Sequence, residues 1–390
     1  MKLSERITRM APSATTAMAA KAKEMKAQGK SVVSFTTGEP DFDSPPAARR
    51  WAIKAMDEGQ THYTVNPGTV ELREAAAAYY ERHFHLKYSA REVVCGTGAK
   101  QILFEALGCL IDPGDEVILF APAWVSYYEQ IRLFDGVPVV MDTSVTNCVP
   151  DPEQYEKLIT DRTAAVVLNN PNNPTGRVYP HDVLEKIARI SLKRGVTIIN
   201  DEIYERLVYG TSFKPHLLEL VPEARDLTLN INGVSKSYAM TGWRLGYALG
   251  PEPLIKAMTS MQGHLTSNTS SISQWAATGA LKESEDDVEA MRKVFEKRRA
   301  LTLKLLSEIP GITFVEPEGA FYVFIDISSF LGTDKRWADD VAFSEALLQD
   351  KGLGVVPGSA FLSPGRIRIS YSCADDQIVE GVKRLKEFLA

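Results

Sequence analysis

Between about Pro45 and Leu281, short apolar runs alternate with longer stretches of helical character. The runs Glu92–Cys95, Glu116–Phe120, Val137–Met141, Ala164–Asn169, Val196–Asn200, Thr228–Ile231 and Leu245–Leu249 are bounded by Gly, Pro, Asn or Asp. This pattern predicts the strands of one buried, mostly parallel sheet covered by helices. Before it, Ser13–Gly29 predicts a helix whose apolar or small residues recur through Met18, Ala22 and Met25, and Val32–Phe35 predicts a short strand. From about Lys282 a long charged helical stretch through Lys293, Arg298 and Lys304 leads to strands near Phe321–Ile325 and Arg366–Ser370 and a closing helix. The expectation is an α/β protein with a large domain over 46–281 carrying seven strands, and a smaller α+β domain formed by 282–390 together with 1–45. The first 45 residues are too few to bury a core alone.

Length agrees with this division, because 390 residues exceed the usual size of a single core and two domains leave a cleft between them. Hydrophobic residues make up 44% and charged residues 24%, so the chain is expected to fold throughout. A formal charge of −6 gives no general attraction to phosphate backbones or anionic lipid, which excludes nucleic acid as an expected partner. No apolar run approaches the roughly 18 residues of a membrane span, and Glu5 and Glu24 argue against a transit peptide. A cytoplasmic protein is expected. Cys95, Cys109, Cys148 and Cys373 show no metal-binding spacing and read as buried reduced thiols. The chain has no HExxH, no phosphate-binding GxxxxGK[ST] and only six histidines, so neither a metal site nor a P-loop is expected.

The strongest local signal is Ser235-Lys236-Ser237-Tyr238-Ala239-Met240-Thr241-Gly242-Trp243-Arg244, just after a predicted strand. A lone lysine in such a place is ordinarily a solvated side chain. Context overturns that reading. The segment carries the pattern S-K-x-x-x-M-x-G-x-R, and it follows Gly38-Glu39-Pro40-Asp41-Phe42, Tyr63, Gly98-Ala99-Lys100-Gln101, Asn172-Asn173-Pro174-Thr175-Gly176 and Asp201-Glu202-Ile203-Tyr204. In these residues and this order, over nearly its whole length, the chain resembles the class I aminotransferases of the pyridoxal-phosphate fold type I superfamily.

The resemblance implies pyridoxal 5′-phosphate as cofactor, with Lys236 holding its aldehyde as a Schiff base and returning as a general base. Burial and a nearby cation such as Arg244 favour the neutral amine that this work needs. Asp201, at the carboxyl end of a strand where ligands of open α/β sheets collect, is the candidate to keep the ring nitrogen protonated. A strand-end Asp is otherwise a turn or a helix cap. By resemblance, Tyr204 and Asn173 donate to the phenolic oxygen and Trp124 stacks on the ring. Thr97-Gly98-Ala99, ahead of the helix Lys100–Leu110, is expected to cradle the phosphate with its amides, helped by Ser235 and Arg244. Tyr63 matches a tyrosine that crosses to the neighbouring subunit's phosphate, which implies a homodimer with shared active sites.

A substrate α-carboxylate wants a bidentate partner, which arginine offers. Strand alternation sends Arg366 and Arg368 to the same face and leaves both open, and the family motif selects Arg368. Gly38 matches a backbone position that contacts substrate. Lys100 resembles the lysine of subgroup Ib aspartate aminotransferases that receives a distal carboxylate, since a generic helix start prefers Asp or Glu there. Thr15 matches a threonine used by members of that subgroup that transaminate prephenate, although Ala11 stands where a lysine is frequent.

The expected reaction is therefore aspartate plus 2-oxoglutarate giving oxaloacetate plus glutamate, by a ping-pong route. Aromatic amino acids or prephenate are the close alternative, and a β-lyase on the same cofactor is a second, since fold does not fix function. A ligand-sensing module of a transcription regulator is a third class. It lacks support in an acidic chain whose residues 1–30 show no DNA-binding segment.

Overall fold

The computed structural model describes residues 1–11, 14–210 and 216–390. The predicted helix start at Ser13 lies outside them, and that helix is seen as α1, Ala14–Ala27. The seven predicted strands all form, each within about two residues of its expected limits: β1 Val93–Gly96, β2 Glu116–Ala121, β3 Val137–Asp142, β4 Thr163–Asn169, β5 Thr197–Asp201, β6 Thr228–Gly233 and β7 Gly246–Leu249. They make one sheet in the order β1-β7-β6-β5-β4-β2-β3. Strands β6-β5-β4-β2-β3 pair in parallel, while β7 is antiparallel to both β6 and β1. β1 therefore points the same way as the parallel five.

Strands β1, β2 and β6 are buried along their whole length, because helices cover both faces. On one side Ile102, Leu103, Ala106 and Leu107 of α2, Ala99–Leu110, pack with Tyr127 and Ile131 of α3, Val125–Leu133. On the other, Leu184, Ile187 and Ala188 of the helix His181–Arg194 pack with Ile118, Val166 and Ile198. One reversed strand has a consequence for function. The carboxyl ends of β1, β4, β5 and β6 and the start of β7 meet at a single edge, so Gly98, Asn169, Asp201, Lys236 and Arg244 are gathered there from distant parts of the chain.

A second, four-stranded sheet contains β8, Tyr322–Asp326, antiparallel to β9, Arg366–Ser370, with Phe324 opposite Arg368. It packs on α4, Glu285–Leu306, and α5, Asp375–Leu389. Val33–Ser34 pairs in parallel with Leu353–Gly354, which ties the N-terminal segment to this part. One apolar cluster joins Phe295, Phe321, Val323 and Ile369 to Ile203, Tyr204 and Leu207 beside the large sheet. Arg298 of α4 adds a forked ion pair to Asp41, at 2.6 and 2.9 Å. Cys95 and Cys148 are buried, Cys109 and Cys373 half-buried, and all four are free thiols. No helix among the described residues is long and apolar enough to cross a membrane.

Phe321 is fully buried between the Tyr204, Phe295 and Tyr322 rings. Phe321→Ala is expected to lower the unfolding free energy by about 3–5 kcal/mol in urea titration, from lost transfer energy and the cavity left behind.

Candidate active site

A cavity of about 300 Å³ opens at the shared strand edge. It is lined by Thr15, Gly38, Ala99, Lys100, Trp124, Asn173, Asp201, Tyr204, Ser235, Lys236, Arg244 and Arg368, and also by Tyr127, Asn169, Ile203 and Tyr322. Of the predicted site residues the cavity is missing Gly98 and Tyr63. Gly98 lies directly beneath, as the N-cap of α2 at φ 84, and a Cβ there would stand 2.5 Å from Nη2 of Arg244. Glycine is thus needed both for the backbone angle and for the arginine's approach. Tyr63 is 90% exposed and does not line this cavity.

Lys236 is half-buried, and its Nζ donates to the carbonyl of Gly38 at 2.6 Å. Desolvation, the largest effect, pulls its ammonium down to about 8; Arg244 and Arg368 act the same way, while Glu39 and Asp201 oppose. Asp201 is buried 5% exposed at the end of β5. Its Oδ2 accepts from the Tyr127 hydroxyl at 2.6 Å and its Oδ1 from the Ile203 amide at 3.2 Å. Burial still pushes the carboxyl up to about 6, against those two bonds. Tyr204 and Tyr322 share a hydroxyl–hydroxyl bond of 2.8 Å.

Arg368 is 2% exposed, held by Nη1 to Asn173 Oδ1 at 3.0 Å and by Nη2 to the Thr36 carbonyl at 2.8 Å, with its guanidinium 4.4 Å from the Tyr322 ring centre. Its Nε has no partner. Arg366, on the same strand face, instead pairs with Asp326 at 3.3 Å, which separates the two arginines that alternation had left equal. At the rim, the Lys100 ammonium lies 4.9 Å above the Trp124 ring. The Thr15 hydroxyl is buried without a partner among the described residues.

One expectation is corrected. Not all amides of the Thr97–Ala99 turn are available to an anion: Thr97 donates to the Gln101 side chain at 2.8 Å and Gly98 to the Gly96 carbonyl at 2.8 Å. The free amides at this helix start are those of Ala99 and Lys100. Glutamine three residues into the helix competes for the first amide, and the turn closes on the second. The Arg244 guanidinium lies beside this turn, its Nη1 anchored on the Thr241 carbonyl at 2.9 Å.

Charge is the most telling property. Four lining side chains are cationic, Lys100, Lys236, Arg244 and Arg368, and one, Asp201, is acidic. None of the four forms a salt bridge with a described residue, although thirty contacts between basic and acidic side chains occur among the described residues. Of the four, Arg368 is buried, Lys236 half-buried, and Lys100 and Arg244 exposed toward the cavity mouth; a buried guanidinium without a counter-ion calls for an anionic ligand.

The family model for class I and class II aminotransferases matches residues 30–385. The chain belongs to this family. An aspartate aminotransferase of Geobacillus stearothermophilus is 43% identical over 393 residues, covering 100% of this chain and 99% of the relative. A probable aspartate/prephenate aminotransferase of Aquifex aeolicus is 42% identical, covering 99% and 98%. The Thermus thermophilus aspartate aminotransferase structure with maleate superposes at a TM-score of 0.94 with 41% identity, covering both chains completely. The protein is a pyridoxal-phosphate-dependent aminotransferase with the fold of that family.

The aminotransferase cavity fits that cofactor on its own observations. It offers a deprotonatable amine for an aldehyde, a dry carboxylate for a ring nitrogen, and free helix-start amides beside a guanidinium for a phosphate. Sequence reasoning missed Tyr127, Asn169 and Tyr322. For Tyr127 a signal existed, since Trp124 and Tyr127 are three residues apart and their rings meet edge to face at 5.3 Å.

Because folding raises the Asp201 pKa above its usual 3.8, the unfolded chain releases this proton first, and stability falls as pH rises from about 4 to about 6. In the cofactor-free protein Asp201→Asn is expected to be more stable than the parent at pH 7, by about 1–3 kcal/mol, with the difference vanishing near pH 4. Thermal unfolding at the two pH values checks this.

Proposed function

We propose that the enzyme moves the amino group of an acidic L-amino acid, aspartate in preference, to 2-oxoglutarate by a ping-pong mechanism, as a homodimer. The observation that carries this reading is the unpaired charge of the cavity, four cations against one carboxylate. A cofactor phosphate and a dicarboxylate substrate account for the surplus. The frame is a large domain over 46–281 and a small one over 1–45 and 282–390, with the cavity on the side of the large sheet that faces β8 and β9.

When bound, pyridoxal 5′-phosphate supplies an aldehyde that condenses with amines and a cationic ring that accepts an electron pair. Lys236 would hold the aldehyde carbon. Its amine, which gives up its proton readily in this setting, would carry a proton between the substrate Cα and the cofactor C4′. Asp201 would pair with the ring nitrogen and keep it protonated, a charge pair in a dry site that would also relieve the burial of the carboxylate. Asn173 accepts from Arg368 through Oδ1, which leaves its Nδ2 to donate to the phenolic oxygen beside the Tyr204 hydroxyl. Trp124 would cover the ring. Ala99 and Lys100 amides, Ser235 and Arg244 would hold the phosphate, and the exposed Tyr63 would reach the phosphate of the neighbouring subunit.

Arg368 takes the α-carboxylate with the Gly38 backbone alongside, and Lys100 at the rim takes the distal carboxylate, with the Thr15 hydroxyl near it. The solved relative from Thermus thermophilus holds maleate, a four-carbon dicarboxylate. A second reading, in which bulkier substrates such as aromatic amino acids or prephenate also react, is favoured by an apolar-walled hollow of about 650 Å³. It lies behind Lys100 and Trp124 and is bounded by Met18, Leu133, Val341 and Leu362.

Adding aspartate alone to the holoenzyme is expected to convert the cofactor stoichiometrically to its amine form with release of oxaloacetate. Release of pyruvate and ammonia instead identifies a β-lyase. Lys100→Ala is expected to raise the KM for aspartate about 10–100-fold, the loss of one charge-assisted pair, with little change for phenylalanine. Steady-state kinetics with both substrates and prephenate check it, and a variant that keeps its aspartate preference removes Lys100 from this role.

A further inference from the structure

Asn169 ends β4 and lies opposite Asp201 in the parallel register with β5. It is buried, and both ends of its amide are engaged. Oδ1 accepts from the Asn173 backbone N–H at 2.8 Å, and Nδ2 donates to the Asp201 carbonyl at 3.1 Å. These bonds continue on both sides. Asn173 Oδ1 accepts from Arg368 at 3.0 Å, and Asp201 Oδ2 accepts from Tyr127 at 2.6 Å. The Asn169 side chain, in the cavity wall, thus ties the backbone of Asn173, whose side chain meets the arginine, to the backbone of Asp201, whose carboxylate meets Tyr127; the Asp201 carbonyl also accepts from the Asn170 N–H, at 3.2 Å. Of the side chains this size, only an amide can accept on one end and donate on the other; a carboxylate offers two acceptors and leucine neither.

We propose that Asn169 is a positioning residue that fixes the spacing between the two groups gripping opposite edges of the cofactor ring, the Asn173 amide at the phenolic oxygen and the Asp201 carboxylate at the ring nitrogen. The inference deepens the functional reading above and rests on it. Buried polar joints of this kind set geometry because each end left unsatisfied is unfavourable, so both neighbours are held to one place. In a site that works by preorganised charge, a shift of either group weakens the reaction more than it weakens binding.

The test compares holoenzymes of the parent, Asn169→Ala and Asn169→Asp. Asn169→Ala is expected to lower kcat at least about tenfold, from two buried hydrogen bonds lost, while the KM for aspartate changes much less. The pH midpoint of the bound cofactor's visible absorbance should rise, because the Asn173 donor no longer lowers the proton affinity there. Asn169→Asp keeps an acceptor for the Asn173 N–H and loses the donor to Asp201, so the midpoint returns toward the parent while kcat stays low. This split between variants is what a merely structural asparagine does not produce. If midpoint and kcat stay at parental values in Asn169→Ala, or both change only in proportion to thermal stability, the proposal is overturned. Should Asn169→Ala not fold, Asn169→Asp alone decides, and parental kcat in it overturns the proposal. Failure of the functional reading is separable, since it appears in the parent as a cofactor spectrum that does not respond to aspartate.

Discussion

Withdrawal of the Lys236 amine from water is the constraint on which the site depends. An ammonium in a dry environment gives up its proton readily, and here two arginines push in the same direction as burial. Yet the amine must not be left without a partner, and the Gly38 carbonyl accepts from it. That contact requires the N-terminal segment to lie across the cavity, and the segment is fixed by its strand pairing at Val33 and by the forked pair between Asp41 and Arg298. Gly38 itself tolerates no side chain, because a Cβ would run into the Tyr322 hydroxyl.

The same dryness sets the other electrostatics. Asp201 is kept at a carboxylate-unfriendly position by Tyr127 and Ile203, and its raised pKa marks a group placed for a positive partner rather than for stability. Arg368 is the mirror case, a guanidinium braced by neutral acceptors and an aromatic face with no acid to neutralise it. The fold carries both of these unbalanced groups, and supports them with apolar packing continuous from Ile203 and Tyr204 to Phe321 and Ile369. Such unbalanced groups lower the stability of the ligand-free protein.

Much of this was legible in the chain. The seven strands of the large sheet were marked by their apolar runs and punctuating Gly, Pro, Asn and Asp, since a strand covered on both faces must be apolar throughout. Strand order was not legible, because pairing such as β1 with β7 joins residues some 150 positions apart. The motifs brought the cavity's main residues to light, and the structure assembles them around one hollow. Tyr322 and Asn169 escaped because their importance lies in whom they bond across the fold, a long-range property that no local pattern records. The engaged amides of Thr97 and Gly98 escaped for a related reason: the helix-start rule predicts donors, and the Gln101 side chain and the Gly96 carbonyl decide which remain free.

The most direct test of the account is chemical trapping. Borohydride reduction of the coloured holoenzyme, followed by proteolysis and mass spectrometry, should place the reduced cofactor on the peptide containing Lys236, and Lys236→Ala protein should take up none. Label on another lysine, or a protein that stays colourless when reconstituted with pyridoxal 5′-phosphate, contradicts it.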